Sequence, residues 1–220
     1  MKDVAIDRRA DRKKRRIHKR QNEILDSAKQ HFLARHYKSV TIEDIAEEAL
    51  VSRATIYSYF KNKNELYGAV VLRDTETLTG SIMAALETGA SLADNLRRAT
   101  NAYMDFFGEH PEYFRELSFH YFPGRQEKLP ADIAARIDEK LAMAMARIQH
   151  CIEHGISNGE ARPVDARAAA LALWGHWMGY AHITIIGYAR KFGSTEEKIF
   201  RTGADAFLSG LITPSTDVEE

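Results

Sequence analysis

The first 67 residues contain neither glycine nor proline; the first glycine is Gly68 and the first proline Pro111. Glycine supplies the left-handed backbone of tight turns, and proline interrupts helices and strands. A chain that withholds both for so long has few ways to turn other than short helices with polar caps. Apolar residues recur at spacings of three and four throughout, and no alternating β-branched run bounded by turn residues occurs. The expected fold class is therefore all-α. Thirteen glycines and five prolines among 220 residues are fewer than the roughly 12% of average usage, which supports the same reading. No repeat of fixed period is visible.

Local signals divide the first part of the chain. Ile17, Ile24, Leu25, Ala28 and Phe32 mark one face of a first helix running to about Arg35. Thr41-Ile42-Glu43-Asp44 reads as a helix start: the Thr41 hydroxyl is placed to accept a backbone amide, and the acids suit the positive end of the dipole. Ile45, Ala46 and Ala49 face inward on this short second helix. Ser52 caps a third helix through Ile56 to Tyr59, and Asn62 with Glu65 opens a longer fourth. A short helix, a tight turn and a second short helix make a helix-turn-helix. Ala46 is the small residue where the two helices nearly touch, and Ile45, Ala49, Val51 and Ile56 fill the wedge. The third helix then projects Arg53, Ala54, Thr55 and Tyr57 toward a major groove.

The run from Ile24-Leu25-Asp26-Ser27-Ala28 and Phe32, through Thr41 to Ala49 and Val51 to Phe60, then Lys63 and Leu66, resembles the TetR family of transcriptional regulators in order and spacing over residues 20–72. The resemblance implies an all-helical dimer of about nine helices, with three N-terminal helices on DNA and a ligand-binding, dimerising body. It assigns Thr41, Thr55, Tyr57 and Lys63 mainly to phosphates, and Arg53, Ala54 and Tyr59 nearer to base edges or sugars; Ser52 completes this expected DNA-binding set. Hydroxyls and helix N-termini position a protein on phosphates, whereas arginine bonds guanine bidentately. For Tyr59 the plainer alternative is a core position. The chain departs from the family pattern at Leu50, where the turn usually carries glycine, and at His36-Tyr37, where the aromatic is kept and the preceding glycine is lost.

Formal net charge is zero, with 31 basic against 31 acidic side chains, which argues against a nucleic-acid binder only if the charges are evenly spread. Residues 1–20 carry ten basic side chains against three aspartates, residues 21–73 seven against seven, and residues 74–220 fourteen against 21. Such asymmetry marks a polyanion-binding end. The expected organisation is a basic arm over 1–19, a helix-turn-helix domain over 20–66 and a helical ligand-binding and dimerisation domain over 67–220. The arm reads either as a solvated extension of the first helix, with Asp11 paired to Arg15, or as a segment that follows the DNA backbone or enters the minor groove.

Helices are expected in the body at about 62–86, 91–108, 111–121, 130–157, 163–191 and 195–212. Residues 168–189 hold no formal charge. That length alone matches a membrane span, but two histidines and three glycines within it favour a helix buried between a core and a second subunit. Ala168, Ala172, Gly175 and Gly179 share one stripe, and Phe200, Ala204, Phe207 and Leu211 another, which together suit a two-fold homodimer interface without membrane insertion. Aromatic residues crowd the same region. For any one of them a core position is the plainer reading; the resemblance implies a ligand pocket, and Tyr103, Phe107, Phe119, His120, Trp174, Trp177, Met178 and His182 form the expected lining for a small apolar or aromatic effector.

His150-Cys151-x-x-His154 has helical spacing for a metal pair, against which two half-exposed histidines are the commoner outcome. No phosphate loop, nucleophile elbow or dinucleotide fingerprint occurs, so neither enzyme activity nor a cofactor is expected. A single cysteine and a start without the apolar stretch of a signal peptide point to the cytoplasm. The function expected is a sequence-specific repressor that a ligand releases from a double-stranded DNA operator. The alternative is an architectural, chromosome-associated DNA-binding protein of the same fold without an inducer.

Overall fold

The computed structural model describes residues 2–35, 37–114 and 129–213, with 2–10 described by their backbone alone. It divides into two compact units, Met1–Arg73 with Gln126–Ala134, and Asp74–Arg125 with Ala135–Glu220, called here the head and the body.

In the head, α1 (Lys2–Ala34) is followed by a 3-10 turn (Tyr37–Ser39), α2 (Ile42–Glu48), α3 (Arg53–Tyr59) and the start of α4 (Lys63–Ala85). The basic arm is thus helical and continuous with α1. Helices of seven residues do not hold themselves together in water; caps and tertiary burial hold these. The Thr41 hydroxyl accepts from the Asp44 amide, and the Asp44 carboxylate accepts from the Thr41 amide, both at 3.1 Å. Those bonds, backbone first, keep the Asp44 carboxyl below its ordinary range. Ser52 caps α3 through the Thr55 amide at 3.0 Å, and Asn62 accepts from the Glu65 amide at 2.9 Å. Ile24, Ile45, Ile56 and Leu66 are wholly buried together, one from each helix. Inside this core the Ser27 hydroxyl donates to the Ile45 carbonyl at 3.0 Å, tying α1 to α2. Tyr37 supplies the aromatic plug, stacked on Phe32 and edge-on to Tyr67; His36 lies outside the described residues.

The turn between α2 and α3 is a Schellman cap. The Val51 amide donates to the Ala46 carbonyl at 2.9 Å and the Leu50 amide to the Glu47 carbonyl at 3.1 Å, which forces the residue between into the left-handed region. That residue is Leu50, at φ 51 and 89% exposed.

In the body, α4 continues to Ala85, followed by α5 (Leu92–Glu109), a helical turn at 111–114, α6 (Ala131–Ser157, whose first turn belongs to the head), α7 (Ala166–Ile185), α8 (Tyr188–Lys191) and α9 (Glu196–Leu211). The helix expected over 163–191 is shorter and divided. Asp165 caps its start through the Ala168 amide, and it ends where Gly187 turns left-handed at φ 70. Most of the stretch expected at 111–121 lies outside the described residues. No described helix is long and apolar enough to cross a membrane.

The α5 residues Leu92, Leu96, Tyr103 and Phe107 meet Leu173, Trp177 and Tyr180 of α7 and Phe200 and Leu208 of α9 in the core. Of the α9 stripe expected at a dimer interface, Phe200 and Leu211 are buried within the protomer, and Ala204 and Phe207 are half-buried. Phe200 lies against the rings of Tyr180 and His176. A Cβ at Gly203 would clash with the His176 ring, so α7 and α9 approach closely only because that position is glycine. Burial pushes the His176 imidazole below its ordinary pKa. On α7 the expected small-residue stripe does face outward: Ala168, Ala172, Gly175 and Gly179 are exposed, and nothing lies near a Cβ built on either glycine.

Left-handed backbone costs a side-chain-bearing residue roughly 1–2 kcal/mol. Leu50→Gly should therefore stabilise the head by about 1 kcal/mol, after the extra unfolded-state entropy of glycine is set against the relief of strain. Urea unfolding of the two proteins tests this; a lower midpoint for the glycine variant would count against the strain.

Candidate nucleic-acid interface

Capping and packing of α3 decide which of its side chains reach solvent. Ile56 is wholly buried and Phe60 seals the end of the helix. That leaves Ser52, Arg53, Ala54 and Tyr57 exposed and Thr55 half-exposed at the outer side. Tyr59 is half-buried and packs against the head core, with its ring 6.4 Å from Phe60. Thr41 is exposed at the start of α2. Two hydroxyls of the expected DNA-binding set, those of Thr41 and Ser52, already accept the capping amides. The Ser52 and Thr55 hydroxyls also bond one another at 2.9 Å. A hydroxyl that accepts still has its proton to donate, so capping and phosphate contact are compatible at Thr41.

Two cations are held by partners that sequence reasoning missed. The Arg53 guanidinium is ion-paired to Glu43 on α2. That hydrogen bond is the main reason the Glu43 carboxyl lies below its ordinary pKa and the Arg53 guanidinium above its own. Lys63 donates to the Tyr37 carbonyl at 3.0 Å and to the Val40 carbonyl at 2.9 Å, and its ammonium lies 4.4 Å from the centre of the Tyr37 ring. Its charge clasps the 3-10 turn to the start of α4. One of its three N–H donors is left over. Partners 10 residues away for Arg53 and 23 and 26 away for Lys63 carry no signal in local spacing.

In the body the structure brings four of the eight expected lining residues into one aromatic cluster. Tyr103 stacks on Trp177 with centroids 5.1 Å apart and meets Trp174 and Phe114 edge-on. Phe107 joins through Phe114 and Tyr180. Met178 is half-buried and His182 exposed; Phe119 and His120 lie outside the described residues. The Tyr103 hydroxyl and the Trp177 indole N–H are buried with no hydrogen-bond partner among the described residues, and burial raises the Tyr103 phenol well above its ordinary pKa. A separate cleft of about 630 Å³ opens between α5 and α9, with Met104, Tyr180 and Phe200 at its floor and Arg97, Glu196, Arg201 and Asp205 around it. None of the six expected residues that are described lines it. The histidines weighed as a metal pair contact near neighbours in the chain: His150 lies 3.9 Å from Glu153 and His154 3.1 Å from Asn158, just past the end of the helix.

Residues 24–70 match the sequence model of the bacterial regulatory proteins of the tetR family, and residues 96–207 that of the tetracyclin repressor-like C-terminal domain. The second match alone spans half the chain. The chain belongs to the TetR family and is a transcriptional regulator with a DNA-binding helix-turn-helix. Members of this family bind DNA operators and typically dimerise. Among its relatives is the uncharacterized HTH-type transcriptional regulator YhgD of Bacillus subtilis, 27% identical over 68% of this chain and 76% of the relative. The HTH-type transcriptional activator FasR of Mycolicibacterium smegmatis is 32% identical over 44% of each chain. A solved structure of a protein of unknown function from Rhodococcus sp. RHA1 shares the fold, with a TM-score of 0.72 at 20% identity over 88% of this chain and 96% of that one.

Glu43 places a carboxylate beside Arg53, the arginine expected near a base edge, so a DNA group bonding that guanidinium would compete with it. Glu43→Gln should tighten DNA binding and raise the association rate at low salt. Fluorescence anisotropy against duplex DNA reads both; weaker binding would mean that Glu43 holds Arg53 in its working position.

Proposed function

We propose that this regulator is a cytoplasmic homodimer that represses transcription by occupying a double-stranded DNA operator and is released by a small apolar or aromatic effector bound in the body. Arg53 and Ala54 would meet base edges or sugars. Thr41, Ser52, Thr55, Tyr57 and the remaining donor of Lys63 would meet phosphates, and Tyr59 would serve the core and the sugar edge together. Repression, rather than the activation named for FasR, follows the character of the C-terminal match, which is repressor-like. The outward stripe of small residues on α7 supports a second copy of the chain as its cover, because small residues let helices approach closely.

The observation that carries the effector reading is the pair of buried polar groups without partners, the Tyr103 hydroxyl and the Trp177 N–H. Leaving such a group unsatisfied costs about 1–3 kcal/mol. Tryptophan can only donate, and tyrosine donates or accepts, so the complementary molecule is flat and largely apolar with an acceptor at one edge. The helix α4 begins in the head and ends in the body. A ligand-driven movement of it would alter the spacing of two heads that must match a helical turn of about 34–36 Å.

Selection of bound duplexes from a random pool, followed by a screen for compounds that release them, tests the reading. Absence of any preferred sequence would favour the architectural alternative, and loss of reporter expression on deleting the gene would assign activation. Arg53→Ala should relax preference at one base position by about 1–3 kcal/mol. Tyr103→Phe should stabilise the ligand-free protein by about 1 kcal/mol, seen as a higher unfolding midpoint, and weaken release by effector. A lower midpoint would show that the hydroxyl has a partner after all.

A further inference from the structure

The arm is a helix, and among its described side chains the cations from Arg12 to Lys19 are uncompensated. Residues 11–20 are all exposed, and burial in α1 begins with Gln21, becoming complete at Ile24. Arg12, Arg15, Arg16 and Lys19 fall at the spacing that places them on one face. Ile17 shares the opposite side with Ile24 and Ala28, which dock on the head. Arg20 is paired to Glu23 at 2.9 Å; among the described residues, Arg12, Lys13, Lys14, Arg15, Arg16 and Lys19 form no ion pair, and the expected Asp11–Arg15 bridge is absent. Like charges three and four positions apart oppose helix formation. A helix with such a face gains most from a polyanion that relieves the repulsion.

Shape then selects how that polyanion is met. A helix with its side chains is about 10–12 Å across, and the minor groove of B-DNA is about 6 Å wide, so a helical arm does not enter it. Four cations from Arg12 to Lys19 rise about 10.5 Å along the axis. That is about 3.5 Å per interval, close to the roughly 3.4 Å of duplex axis per phosphate of one strand.

We propose that the Arg12, Arg15, Arg16 and Lys19 face of α1 is a rigid cationic rail that lies, still helical, along the phosphate backbone beside the helix-turn-helix site. This rests on the head binding duplex DNA. The arm adds affinity without sequence information, and it acts by its helical form as well as by its charge.

The test uses the full chain and a random-sequence duplex of about three helical turns, with affinity measured by anisotropy between about 50 and 200 mM salt. R12Q/R15Q/R16Q keeps the helix and should lower the salt slope by about 2.7 for each arm engaged. Ile17→Pro keeps every arm charge but breaks the helix upstream of the docked part, and should lose affinity and slope to a similar degree. Ile17→Ala should behave as the parent. Circular dichroism and melting of each variant report whether the head is intact, and the glutamine variant carries the test if the proline variant unfolds. Wild-type slope and affinity for a folded Ile17→Pro beside a weakened glutamine variant would assign an extended arm and overturn the rail. Wild-type slope for R12Q/R15Q/R16Q, with or without binding to anionic phospholipid vesicles, would remove the arm from DNA altogether. A chain that binds no duplex in any form would instead bring down the underlying reading of the head.

Discussion

Ile24, Ile45, Ile56 and Leu66 meet where four helices cross, and each is cut off from solvent completely. Two of those helices are seven residues long and could not persist alone. The outward placement of Arg53, Ala54 and Tyr57 follows from the inward placement of Ile56, because one helix has only one buried side. The exposed side of α3 is thus specified from behind, by side chains that stay in the core. Caps refine it: without the Ser52 and Thr41 hydroxyls, the amides that open α2 and α3 would be left to water.

What could be read in the chain beforehand is what depends on near neighbours. The capping pairs Thr41 with Asp44, Ser52 with Thr55 and Asn62 with Glu65 act across three residues, and spacing alone reveals them. The left-handed cost at Leu50 was likewise legible, since the turn length demands that conformation from whatever residue stands there. The clasp of Lys63 on the Tyr37 and Val40 carbonyls was not, nor was the Glu43 partner of Arg53, because both are made by the fold bringing distant turns together. The uncharged run 168–189 concealed the end of α7: in a stretch so rich in small residues, Gly187 looks like one more packing glycine instead of a stop. The α5–α9 cleft was hidden by its charges, which in sequence resemble an ordinary solvated face.

The two units use polar groups differently. In the head, Thr41, Asp44 and Ser52 bond the amides that open α2 and α3, and Glu43 bonds the Arg53 guanidinium, which fixes geometry. In the body, the aromatic cluster around Tyr103 and Trp177 leaves a hydroxyl and an indole N–H buried without partners. The charge pattern parallels this division. A basic end and an acidic remainder sum to zero, and their repulsion from and attraction to a polyanion favour one orientation of approach.

Gly68 sits in α4 where a Cβ would come within 3.0 Å of the Ile133 side chain and 3.4 Å of Pro130. The head is therefore not one continuous stretch of chain, since a strip from the far side of α5 completes it. A chimera that grafts only the first 73 residues onto another body would leave that side of α4 bare where Ile133 now covers it. Exchange of DNA specificity between such regulators must carry the strip along with the helices, or rebuild its contacts on the new partner.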